Sequence, residues 1–207
     1  MFLFDLDGTL TDSNGIWTEV DHTFLARRGL AYTREYYEGV AHTILPNAAV
    51  FTREYCHLTE SCEEIIAEWM ELARDSYDHV ALKPFARELL QKLHAAGERM
   101  AVFTSAVPSH CESALKAHGL TKYFEKLVYA HELELDKSSP EAFRRACALL
   151  RAEPGDCTLL DDSLRSCRAA KEAGAYVIGV YDPYFESTKA EMRRVCDRYV
   201  LSLGELL

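Results

Sequence analysis

Residues Phe2-Leu3-Phe4-Asp5-Leu6-Asp7-Gly8-Thr9-Leu10-Thr11-Asp12 decide how this chain is read. Phe2 to Phe4 form a short apolar run that reads as a buried strand. The run ends in two carboxylates one residue apart, followed by Gly-Thr. Side chains at i and i+2 of an extended segment point to the same side, so Asp5 and Asp7 aim at one small volume. Carboxylates that close repel each other. Such a pair serves a bound cation, a shared proton, or two roles in one reaction.

Three more segments follow, each at the end of a predicted strand. Met100-Ala101-Val102-Phe103 runs into Thr104-Ser105. Asp136-Lys137-Ser138-Ser139-Pro140-Glu141-Ala142-Phe143 carries a lysine ahead of a predicted helix. Thr158-Leu159-Leu160 runs into Asp161-Asp162-Ser163. Taken alone, Thr104 is a strand-end hydroxyl, Lys137 a surface lysine and Asp161-Asp162-Ser163 a helix cap. In this order, after Asp-x-Asp-Gly-Thr, they resemble the four motifs of the haloacid dehalogenase-like superfamily, in its phosphatase and phosphomutase branch. The resemblance covers the chain outside residues 14–81.

Beyond residue 82, apolar strands alternate with amphipathic helices. Strands are expected near 100–103, 127–130, 158–160 and 176–180. Helices are expected from Pro84 to Gly97 and over 109–118, 139–150 and 164–173. Repeated βα units imply a parallel sheet with helices on both faces. Residues 14–81 break that rhythm with helical stretches over 15–28, 33–41 and 47–57. A capping box at Ser61-Cys62-Glu63-Glu64 then opens a helix with Ile66, Trp69, Met70, Ala73 and Tyr77 on one face. The expected architecture is an α/β fold, with a Rossmann-like three-layer α/β/α core from residues 1–13 and 82–207. An all-α insert over 14–81 is similar to the helical cap of the superfamily.

Composition narrows the class. A net charge of −10 argues against nucleic acid or an anionic membrane as partner. No run approaches the roughly 18 apolar residues of a membrane span, and the N-terminus lacks a secretory pattern. Seven scattered cysteines, with no Cys-x-x-Cys, suit reduced thiols and a cytoplasmic location. Cys56, His57 and Cys62 lack the second ligand pair that zinc would need.

The resemblance implies roles residue by residue. Asp5 would be the nucleophile, forming an aspartyl-phosphate, and Asp7 the general acid and base. Gly8 would let the backbone turn and its N–H approach the phosphoryl oxygens. Thr104, Ser105 and Lys137 would bind the transferring group. Asp161 and Asp162 would hold Mg²⁺ together with Asp5 and the carbonyl of Asp7. Trp17, His22 and His42 of the insert are the candidate substrate contacts. Asp7 separates the chain from the dehalogenases, which lack the second Asp. Residues 14–81 contain no lysine, which removes the Schiff-base chemistry of phosphonoacetaldehyde hydrolases. The mutases resemble the chain in all four motifs but carry Arg where His42 stands and His where Trp17 stands.

The expected activity is therefore Mg²⁺-dependent hydrolysis of a small phosphorylated metabolite, phosphoglycolate-like or a sugar phosphate, by a monomer or homodimer. A β-phosphoglucomutase-like activity is the alternative. A catalytically silent binding module would lack one of Asp5, Asp7, Thr104, Lys137 or Asp162, and none is missing.

Overall fold

The computed structural model describes residues 1–40 and 43–207, apart from the side chain of Asp75. Six parallel strands form one sheet: β1 (Phe2–Phe4), β2 (Met100–Thr104), β3 (Lys126–Tyr129), β4 (Thr158–Asp161), β5 (Tyr176–Val180) and β6 (Arg198–Val200). Their order is β3-β2-β1-β4-β5-β6. Leu3 pairs with Ala101 on one side and Leu159 on the other. The chain thus winds outward from β1 in both directions, which opens a crevice at the carboxyl ends of β1 and its neighbours.

Alternation along the strands sorts the core into two faces. Phe4, Val102, Leu160, Ile178 and Val200 join one apolar cluster, with Leu89, Leu90 and Leu115 of α5 (Ala86–Ala95) and α6 (Pro108–Ala117). Leu3, Ala101, Phe103, Leu159 and Val177 join the other. Phe143, Cys167 and Met192 complete that face from α7 (Pro140–Leu149), α8 (Leu164–Ala173) and α9 (Lys189–Val195). Sequence periodicity anticipates every strand except β6. That strand is three residues long, begins with exposed Arg198, and pairs along one edge only, so it offers no apolar run to read.

Among the described residues, four helices lie between β1 and α5: α1 (Asn14–Ala26), α2 (Arg34–Val40), α3 (Leu45–Tyr55) and α4 (Cys62–Asp78). The capping box of α4 forms as the sequence predicts: the Ser61 N–H donates to Glu64 at 2.8 Å, and the Glu64 N–H donates back to Ser61 Oγ. Its buried face runs through Ile65, Trp69, Ala73 and Tyr77. That stripe is one residue off the expected one at its start, because Ile65 rather than Ile66 is i−4 from Trp69. Val20, Phe24, Tyr36, Trp69 and Tyr77 are continuous with the first face of the sheet.

The segment carrying these helices leaves and returns at one point. The Asp12 N–H donates to Ala81 O and the Lys83 N–H donates to Leu10 O, both at 2.9 Å. Thr11 and Leu82 form an antiparallel bridge there. Among the described residues, no helix is long and apolar enough to cross a membrane.

Candidate active site

The turn after β1 is built around Gly8. Its φ is +72°, a conformation that L side chains rarely adopt. A Cβ there would stand 2.0 Å from Asp162 Oδ2 and 2.3 Å from Asn14 Nδ2. The absent side chain is what lets the turn press against the end of β4. The Gly8 N–H donates to Thr11 O at 2.8 Å, so in this structure the amide closes the turn.

This turn and the ends of β2 and β4 bring the acidic residues together. Asp5 continues β1, its N–H donating to Leu160 O at 2.9 Å. Lys137 is buried beside it and donates to Asp5 Oδ1 at 2.8 Å and to Asp161 Oδ2 at 2.7 Å. Asp161 Oδ2 also accepts from Ser166 at 2.7 Å, and Oδ1 accepts from the Ser163 N–H at 2.8 Å. Asp162 Oδ2 accepts from Asn14 Nδ2 at 2.7 Å. Asp161 is thus saturated with donors from three directions, whereas Asp162 has oxygen lone pairs to spare.

One oxygen of Asp7 takes two donors. Ser13 Oγ and Tyr77 OH both point at Oδ1, the latter at 2.8 Å. Trp17 Nε1 in turn donates to Tyr77 OH at 2.9 Å. The Tyr77 ring stacks on His110, with centroids 4.3 Å apart and planes at 12°. Thr104 is fully buried and its Oγ1 accepts from the Ala106 N–H at 3.0 Å, which leaves its hydroxyl proton free to donate into the crevice.

Charge is unbalanced here. Four carboxyls converge on one buried ammonium. Burial pushes the Asp5 carboxyl up to about 7 against the attraction of Lys137, with Asp161 and Asp7 adding repulsion. Burial raises Asp7 as well, opposed by the Ser13 and Tyr77 hydrogen bonds. Asp162 is raised strongly by burial and then by Asp5 and Asp161. Lys137 stays charged: burial works against it, but Asp161 and Asp5 outweigh burial. Carboxylate oxygens of Asp5, Asp161 and Asp162 lie within 4.8 Å of one another. Hard oxygens in a buried, negative cluster fit a small divalent cation such as Mg²⁺.

The crevice is a cleft of about 230 Å³ between the sheet and the four helices. Asp5, Asp7, Thr104, Ser105, Lys137, Asp161, Asp162 and Trp17 all line it. His22 does not: it is exposed, with its ring 4.2 Å from that of Tyr32. His42 lies outside the described residues. Sequence reading passes over Asn14 and Asp21, which line the cleft with Tyr184, and over Tyr77, which bonds Asp7. Spacing could have found the first two. Asn14, Trp17 and Asp21 sit at i, i+3 and i+7 of α1, one stripe of a helix.

The profile of the haloacid dehalogenase-like hydrolases matches residues 2–180. The chain belongs to this family. The chain is 29% identical over 180 residues to a bifunctional riboflavin kinase/FMN phosphatase of Arabidopsis thaliana. The match takes in 86% of the chain but only 47% of that longer protein. It is 27% identical over 194 residues to the validoxylamine A 7'-phosphate phosphatase of Streptomyces hygroscopicus subsp. limoneus, covering 91% and 89% of the two. Among solved structures, a mutant of CbbY from Rhodobacter sphaeroides in complex with xylulose-1,5-bisphosphate superposes with a TM-score of 0.85. Identity there is 26%, over 99% of this chain and 95% of that one.

Proposed function

We propose that this family member is a Mg²⁺-dependent phosphatase acting on a small phosphorylated metabolite through an aspartyl-phosphate. The observation that carries the reading is the placement of Asp5 and Lys137. Lys137 holds Oδ1 of Asp5, which leaves Oδ2 to attack phosphorus. As the Asp5 O–P bond forms, the ester P–O bond breaks. Asp7 gives its proton to the departing oxygen; with both donors directed at Oδ1, Oδ2 is the atom that carries it. Water then attacks the aspartyl-phosphate, Asp7 takes its proton back, and phosphate leaves.

The lysine ammonium and the Thr104 hydroxyl offset charge on the transferring group. Asp5 and Asp162, with the Asp7 carbonyl and the strongly hydrogen-bonded Asp161 behind them, would hold Mg²⁺, which when bound neutralises phosphoryl charge and orients the group. Residues 14–81 act as the cap in this reading, with α1 and α4 excluding bulk water above Asp7. The mutase alternative asks for a second cation to grip a second phosphate. Lys137 and Arg165 are the cations on the described lining, and both come from the sheet side.

Phosphate release from a panel of phosphorylated metabolites, with Mg²⁺ or with chelator, tests the proposal. The expected result is release that needs the metal and disappears in Asp5→Asn. Release that survives Asp5→Asn would remove the aspartyl-phosphate from the mechanism.

A further inference from the structure

The far end of the cleft carries chemistry that phosphoryl transfer does not use. Asn14, Trp17 and Asp21 project from one stripe of α1. Asn14 touches the proposed metal-binding Asp162, Trp17 touches the tyrosine that holds Asp7, and Asp21 lies a turn further out. At about 1.5 Å rise per residue, Asp21 stands roughly 10 Å along the helix from Asn14. That is the span of a small leaving group. A volume of about 230 Å³ lies below the range usual for drug-sized ligands.

Two polar groups at that end have bonding capacity left over. Asp21 Oδ1 accepts from Tyr36 OH at 3.2 Å, and among the described residues its other oxygen has no donor. Trp69 of α4 also lines the cleft; it is 2% exposed, and its indole N–H has no acceptor among the described residues. The surroundings are apolar, with Val40, Leu45 and Ala48 on the same lining. Burial lifts the Asp21 carboxyl to about 7, with the Tyr36 bond opposing. The buried Trp69 donor left unpaired costs free energy that a ligand can recover, and the half-buried Asp21 carboxyl offers an acceptor on the same lining.

We propose that Asp21 and Trp69 form a hydroxyl-recognition subsite, so that the leaving group is a polyol or sugar monophosphate rather than an acid or a bisphosphate. A hydroxyl is the group that satisfies both at once: it donates to Asp21 and accepts from the Trp69 N–H. An ammonium can only donate. A carboxylate or second phosphate would face Asp21 as a like charge, with no cation from α1 to α4 on the described lining to offset it. The assignment of a leaving group rests on the phosphatase reading above; the binding preference does not.

The test uses four esters of one length: 4-hydroxybutyl, 4-aminobutyl, butyl and 3-carboxypropyl phosphate. Their affinities are measured by calorimetry with the full chain carrying Asp5→Asn, in Mg²⁺, so that turnover plays no part. The hydroxyl ester should bind about tenfold or more tighter than the butyl ester, and the carboxyl ester weakest of all. Adding Trp69→Phe or Asp21→Asn should each erase most of the hydroxyl advantage, and Asp21→Asn should also relieve the penalty on the carboxyl ester. Tyr36→Phe, which leaves both recognition groups in place, should reduce the preference less.

A flat series, or a hydroxyl advantage untouched by both substitutions, overturns the subsite. The aminobutyl ester binding tightest overturns the hydroxyl assignment in favour of a cation. Phosphate release is then measured with the unsubstituted chain. Ordered binding without release leaves the subsite standing and refutes the phosphatase reading; release with a flat binding series does the reverse.

Discussion

The two ends of the cleft are built on opposite plans. At the sheet end several polar groups are held more than once: Asp161 by three donors, Asp7 by two, Lys137 between two carboxylates. At the helical end the lining is mostly apolar, and two of the polar groups on it, Asp21 and Trp69, have bonding capacity left over. The first plan fixes atoms to within the tolerance a reaction needs. The second leaves bonding capacity that a ligand could take up. Chemistry is thus written in redundancy and selectivity in what is missing.

Substitutions at the sheet end should break that contrast most severely. Asp5→Asn should lower phosphate release by at least ~10³-fold, read in steady-state assays with Mg²⁺. A loss under tenfold would mean the sheet end is less committed than its geometry indicates. Gly8→Ala comes next, because its new methyl would meet Asp162 and Asn14 in a left-handed conformation. It should cost about 2 kcal/mol or more in urea unfolding and reduce metal affinity along with it.

Tyr77→Phe probes the seam between the ends. Tyr77 carries a hydrogen bond from the helical layer to Asp7, so its loss should reduce kcat about tenfold with little change in KM. A change confined to KM would make Tyr77 a wall of the cleft and nothing more.

Asp21 sharpens the comparison through pH. Its folded pKa, lifted to about 7, lies above the ordinary carboxyl value of 3.8. Between those values the folded chain keeps a proton that the unfolded chain releases, so stability from this group is present at low pH and lost as pH rises through 7. Asp21→Asn should therefore match the native chain near pH 4 and exceed it by about 1–2 kcal/mol at pH 8, after allowing for solvent in the cleft. Chemical denaturation across that range checks the sign. The smallest effect belongs to the exposed pair Arg34–Glu38: Arg34→Ala should shift stability by less than about 0.5 kcal/mol.

The same contrast explains what could be read without coordinates. Asp5, Asp7, Thr104, Asp161 and Asp162 lie at or just beyond strand ends, and Lys137 lies in the connection from β3 to α7; strand ends in a parallel sheet meet at one edge, so order along the chain sufficed to gather them. The helical end offers no such rule. Which face of α1 looks at the cleft depends on how α1 packs against α4, and that is decided by Phe24, Trp69 and Tyr77 together. His22, next to Asp21 in sequence, turns to solvent for that reason. The strand β6 escaped because an edge strand of three residues needs little apolar character. The Thr11 partner of the Gly8 amide was not legible, because a glycine marks a turn without saying which acceptor closes it.

The short ribbon at Leu10–Asp12 and Ala81–Lys83 has a consequence for how such a chain can change over time. A segment whose entrance and exit are hydrogen-bonded neighbours adds almost no closure entropy to its host, and its length is free to vary. Four helices can therefore be traded as a cassette while the sheet edge keeps its registry. The ribbon is in that sense a socket: the helices plugged into it can be rewritten while the sheet below keeps its form.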